Sequence, residues 1–134
     1  MIVLDSSAWV EFFRSTGSPV HIRVRTLLSE RADLATTEVV IFELLAGCRS
    51  SREEAALRAR LAAFPVLVLG GLAGFEKAAE LYRVCRAAGE TLRSHLDCLV
   101  AAPVIEADAT LLAADRDFET LARHTPLRLE PVAS

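Results

Sequence analysis

Short apolar runs of four or five residues alternate along this chain with longer stretches of helical period, and that alternation limits the folds open to it. Ile2–Asp5 reads as a buried strand. A helix follows to Arg14, capped by Ser6 or Ser7, with Trp9, Val10 and Phe13 on one face. Ser18-Pro19 opens a second helix to Glu30, striped by Val20, Val24, Leu27 and Leu28. Leu34–Ala35 is a short strand, and Thr36 or Thr37 caps a helix that Gly47 closes. Arg52–Phe64 (helix), Val66–Leu69 (strand) and a long helix over about 73–88 come next. Ser94 opens another helix, Ala109–Leu112 is a strand, Asp115–Arg123 a helix, and Leu127–Leu129 a final edge strand. Strands and helices in alternation predict an α/β sandwich with a parallel sheet covered on both faces. With 134 residues and no linker or repeat, 1–134 is expected to form a single domain.

Composition excludes several classes. The longest uncharged run, Leu61 to Phe75, has 15 residues and carries Pro65, Gly70, Gly71 and Gly74, too short and broken to span a bilayer. The N-terminus has no basic segment, and Asp5 interrupts its apolar run, so it makes a poor signal peptide. Three cysteines (Cys48, Cys85, Cys98) without a C-x-x-C pair suit reduced thiols in a cytoplasmic protein. A net charge of −3 decides little about partners, although 14 of the 15 basic residues are Arg, whose forks suit phosphates. A mean hydropathy of +0.34 on so small a chain hints at apolar surface hidden against a partner.

The acids carry the chemical signal. In open parallel sheets ligands bind beyond the carboxyl ends of the strands. Asp5 ends the first strand and Asp115 closely follows a later one, so both are expected in that crevice, although either can also cap a helix. Glu43 lies in Val39-Val40-Ile41-Phe42-Glu43-Leu44-Leu45, where a carboxylate needs an arginine or a metal as partner. Asp97 fits a capping box opened by Ser94, yet its helix runs on into Cys98-Leu99-Val100-Ala101-Ala102 and is aimed at the core. Four acids in one pocket repel one another unless they protonate or a cation neutralises them. Oxygen-only ligands select Mg²⁺ or Mn²⁺. His21, His95 and His124 lack ligand spacing, which argues against zinc.

Four segments resemble the PIN-domain ribonucleases, and within them the VapC-type toxins of toxin–antitoxin pairs. They are Ile2-Val3-Leu4-Asp5-Ser6-Ser7-Ala8-Trp9, Glu43-Leu44-Leu45-Ala46-Gly47, Asp97-Cys98-Leu99-Val100-Ala101-Ala102 and Leu112-Ala113-Ala114-Asp115-Arg116-Asp117-Phe118. The resemblance implies a three-layer α/β/α sandwich with a short, mostly parallel sheet. It implies an endoribonuclease using one or two Mg²⁺ or Mn²⁺ ions and leaving 5′-phosphate and 3′-hydroxyl ends. Asp5, Glu43 and Asp97 are the leading ligands, Asp115 completes the set, and Asp117 is an outer or second-metal candidate. Ser6 or Ser7 is expected to orient a metal water, and Arg93 and Arg116 to hold RNA phosphates. A homodimer and a VapB-type antitoxin are the implied partners. Two departures stand out: Ala113 replaces a family hydroxyl, and Pro103 inside the Asp97 helix is expected to kink or end it. A PIN-like DNase and a non-catalytic PIN-like module are the alternatives. A receiver-like phosphoacceptor is disfavoured because the only lysine, Lys77, lies on a helix.

Overall fold

The apolar run at the N-terminus forms the middle of the sheet. In a computed structural model, which describes residues 1–132, strand β1 (Ile2–Leu4) is flanked by β2 (Leu34–Thr37) and β4 (Thr110–Leu112). The edges are β3 (Val66–Leu67) and β5 (Arg128–Leu129), giving the order β3-β2-β1-β4-β5 with every pairing parallel. Val3 lies between Ala35 and Leu111 in register, and all three are buried. Seven helices flank the sheet among the described residues: α1 (Ser6–Phe13), α2 (Pro19–Ser29), α3 (Glu38–Ala46), α4 (Ser51–Leu61), α5 (Leu72–Ala87), α6 (Leu96–Glu106) and α7 (Asp117–His124). A parallel sheet needs such cover because its strands are apolar throughout. The predicted α/β/α architecture is therefore the observed one.

Local chemistry accounts for most boundaries. Ser18 accepts from the His21 N–H and Pro19 opens α2, as the sequence predicts. Thr37 caps α3 through the Val40 N–H. Other boundaries differ. Neither Ser6 nor Ser7 caps α1; Asp5 does. Strand β3 stops at Leu67 because the Leu69 N–H donates to the Glu38 carboxylate at 2.7 Å, beyond which Gly70 and Gly71 turn the chain with φ of 86° and 66°. Helix α4 ends at Leu61, ahead of Pro65, which disfavours helical backbone at Phe64. The Phe64 ring instead packs on Trp9, 5.6 Å between centroids.

The largest correction concerns Pro103. Rather than ending α6, it lies inside a helix that continues to Glu106. Val100, Ala101, Ala102, Pro103 and Val104 are all buried there, and that packing offsets the one backbone bond the ring removes. Ser94 accepts from the Leu96 N–H, not from an N3 donor, so the predicted capping box does not form and Asp97 is released from it.

Gly74 carries a packing requirement absent from the sequence patterns. A Cβ there would stand 1.7 Å from the Leu69 carbonyl oxygen and 2.6 Å from its carbon, both backbone atoms unable to swing aside. Gly74→Ala is expected to lower stability by about 1–3 kcal/mol, the usual cost of overpacking. Urea denaturation checks this, and an unchanged midpoint would show that the β3–α5 connection yields freely.

Candidate metal centre

Strand order reverses between β1 and β4: the chain builds outward from β1 to β2 and β3, then returns to the other side. The crevice beyond the carboxyl ends of two such strands is the preferred ligand position in open α/β sheets. Asp5 immediately follows β1, while the segment Ala113–Arg116 connects β4 to α7, whose first residue is Asp117. The Asp5 N–H donates to the Leu112 carbonyl at 2.9 Å and ties the two strand ends together.

Asp5 is 3% exposed. Its Oδ2 accepts from the Ser7 N–H at 3.0 Å and from the Ser7 hydroxyl at 2.6 Å. That hydroxyl in turn accepts from the Ala114 N–H at 2.9 Å, fastening the start of α1 to the loop after β4. Ser7, expected from the sequence as a cap or water-orienting group, thus bridges Asp5 to a segment more than a hundred residues away. Ser6 donates to Glu43 Oε1 at 3.2 Å, which orients the α3 carboxylate toward the start of α1. Glu43 is half-buried and makes no ion pair among the described residues, so the arginine partner considered for it is not found.

Asp97, Asp115 and Asp117 each offer a carboxylate oxygen, and these oxygens lie within 4.8 Å of one another. Asp97 is buried in the first turn of α6. Asp115 Oδ1 accepts from the Asp117 N–H at 3.0 Å, so α7 begins at Asp117 rather than at Asp115. Asp117 Oδ2 accepts from the Arg93 backbone N–H at 2.8 Å, and the Arg93 guanidinium reaches Oδ1 of both Asp117 and Asp115. Arg116 is exposed beside them.

Like charges and burial act together on this group. Burial first, then the charges of Asp115, Asp5, Asp117 and Glu43, push the Asp97 carboxyl up from 3.8 to about 8. Burial likewise raises Asp5, against the lowering effect of its Ser7 hydrogen bonds, and raises Glu43, where Asp5 adds repulsion. Two carboxylate oxygens, Asp5 Oδ1 and Asp97 Oδ2, are buried without a hydrogen-bond partner. Unpartnered buried acceptors call for a cation, and an all-oxygen donor set suits a hard divalent ion. The residues therefore fit Mg²⁺ or Mn²⁺. No histidine joins them: His21 accepts from the Gly17 N–H, His95 packs edge-on to Tyr82, and His124 pairs with Glu90. Burial pushes the Cys98 thiol up to about 12, so it stays protonated.

Comparison with known proteins identifies the family and the fold. Residues 2–124 match the PIN domain family. The chain is 42% identical over 129 residues to VapC ribonuclease Mb1587 of Mycobacterium bovis, covering 96% of each chain. It is equally similar to ribonuclease VapC11 of Mycobacterium tuberculosis, again at 42% over 96% of both. Among solved structures it resembles VapBC2 from Rickettsia felis bound to a promoter DNA fragment, with a TM-score of 0.74 at 20% identity over 97% of this chain and 98% of that one. It also resembles FitAcB from Neisseria gonorrhoeae, with a TM-score of 0.72 at 19% identity over 98% and 97%.

The raised Asp97 carboxyl has a consequence for stability. Between about pH 4 and 8 the native state holds a proton that the unfolded chain has released, so metal-free stability falls as pH rises through that window. In EDTA the melting temperature is expected to drop from pH 5 to pH 8. Asp97→Asn should flatten much of that slope and raise the melting temperature at pH 8. Equal slopes for the two proteins in calorimetry would show that Asp97 ionises freely.

Proposed function

This chain belongs to the PIN-domain family, and on that premise we propose that it is a divalent-metal-dependent endoribonuclease, the toxin of a toxin–antitoxin pair. One observation carries the metal requirement: buried carboxylate oxygens of Asp5 and Asp97 stand without partners in a crowd of acids at the switch point of the sheet. Ribonuclease is the printed activity of relatives 42% identical over nearly the whole chain, which supports RNA as substrate.

Asp5, Glu43, Asp97 and Asp115 would hold the ion or ions, with Asp117 beside them. Once bound, a divalent ion supplies Lewis-acid polarisation of a phosphate and a more acidic water, consistent with 5′-phosphate and 3′-hydroxyl products. Ser6 holds Glu43 toward the site, and Ser7 keeps the two strand ends in register. Because Ser7 bridges Asp5 to Ala114, a hydroxyl already links these loops although position 113 is alanine. Arg93 and Arg116, both exposed, would meet the RNA backbone, Arg as the better phosphate fork.

The partner reading also has support. A cavity of about 610 Å³ runs from Ser6 and Glu43 between α1, α3 and α4, lined by Val10, Phe13, Leu44 and Leu57. An apolar segment of a VapB-type antitoxin laid there would lead directly to the acids. Exposed Val68, Leu72 and Phe75 near the sheet edge form apolar surface of the kind a homodimer covers. No helix among the described residues is long and apolar enough to cross a membrane; we place the protein in the cytoplasm with its RNA.

The reading is tested by assaying RNA and single-stranded DNA with Mg²⁺, Mn²⁺ or EDTA. Wild type should cut RNA only with a divalent ion, and Asp5→Asn and Asp97→Asn should each lose at least about a hundredfold. RNA cleavage that survives EDTA or both substitutions overturns the metal mechanism, while preferential DNA cleavage makes the chain a PIN-like DNase. Light scattering at micromolar concentration should give the mass of two chains; a monomer removes the dimer.

A further inference from the structure

Two of the three clustered carboxylates already have a cation. Arg93, in the connection from α5 to α6, donates from Nε to Asp117 Oδ1 at 3.3 Å and from Nη2 to Asp115 Oδ1 at 3.5 Å. No other basic side chain forms an ion pair with Asp97, Asp115 or Asp117 among the described residues. The backbone N–H of Arg93 is bound separately, to the other Asp117 oxygen at 2.8 Å. The residue is thus held at its main chain while its side chain, 72% exposed, is free to leave. Both contacts are long for a charge-assisted pair, which normally closes to about 2.7–2.9 Å. Asp97 receives nothing from the guanidinium, and its Oδ2 is left unpartnered.

With Oδ2 of Asp117 taken by the Arg93 N–H, the oxygen that Asp117 has left for a divalent ion is the Oδ1 that the guanidinium reaches, and the same solvent-open cation also lies against Asp115. We propose that Arg93 is the resident counter-cation of the centre, occupying Asp115 and Asp117 in the metal-free protein and giving way when the ion binds. Its side chain then sets metal affinity by competition, while its backbone N–H keeps Asp117 in place in both states. This rests on the metal-dependent reading above.

Mn²⁺ binding without RNA tests the competition directly. Affinity is read from the free-ion signal in electron paramagnetic resonance for wild type, R93Q, R93K and R116Q. R116Q removes the same charge from the exposed residue that adjoins both Asp115 and Asp117 in sequence, and so controls for general electrostatics. R93Q should bind Mn²⁺ about three- to tenfold tighter than wild type, the range expected for losing two long ion pairs whose arginine is open to solvent. R93K should fall between the two, and R116Q should change less than about twofold. Melting supplies a second readout: R93Q should melt below wild type in EDTA, and saturating Mn²⁺ should close that gap, since a ligand stabilises the state it binds. Unchanged or weaker Mn²⁺ affinity in R93Q, equal tightening in R116Q, or a melting gap that persists with Mn²⁺ would each overturn the proposal. Failure of wild type itself to bind Mn²⁺ removes the metal reading, and this inference with it, by a result that none of the Arg93 comparisons produces.

Discussion

The pairing of β1 with β4 is the constraint on which the site depends. These two strands are neighbours in space and more than a hundred residues apart in sequence. Because strand order reverses there, their carboxyl ends open a crevice that no connecting helix fills. The bond from the Asp5 N–H to the Leu112 carbonyl, and the Ser7 hydroxyl between Asp5 and Ala114, align the two ends. Helices α3 and α6 then deliver Glu43 and Asp97 from either side of that seam. A shift of register between β1 and β4 would scatter the acids even with every helix intact.

Gathering the acids works against the fold that holds them. Each buried carboxylate loses hydration, and each neighbour adds repulsion, so the ionised metal-free centre is a source of instability. The chain offsets this locally. Ser7 and the start of α1 solvate Asp5, Ser6 solvates Glu43, and Arg93 shields Asp115 and Asp117. Asp97 receives the least help and shows the largest displacement from ordinary carboxyl behaviour. The surrounding core bears the rest: Val3, Leu4, Val100, Ala101, Leu111 and Phe118 are fully buried beneath the site. Sites that trade stability for a poised charge distribution are common where a ligand must bind strongly.

Capping and metal binding are compatible uses of one carboxylate. Asp5 accepts from the α1 N-terminus with Oδ2 and leaves Oδ1 free; Asp115 accepts from the Asp117 N–H. Asp5 therefore caps α1 through one oxygen and keeps the other without a partner, while Asp115 accepts from the first N–H of α7 without being the N-cap of that helix. For Asp97 the cap disappears, because Ser94 bonds to Leu96 and the helix starts at that residue.

The layers, the strand-helix alternation and the candidacy of the acids are legible in the chain's residues alone. Those depend on local periodicity, on turn and cap chemistry and on carboxylates set in apolar runs, all of which act over a few residues. How the acids group is settled by the folded chain, which brings Asp97, Asp115 and Asp117 together and orients Asp5 and Glu43 through serines. Pro103 shows the same limit: local chemistry kinks or ends a helix there, whereas the buried stretch from Val100 to Val104 carries α6 on to Glu106. From the sequence Arg93 is expected at RNA phosphates, whereas its place on Asp115 and Asp117 depends on how the α5–α6 connection meets the loop after β4. Which atoms share a few ångströms is set by long-range strand pairing, and no local pattern encodes that distance.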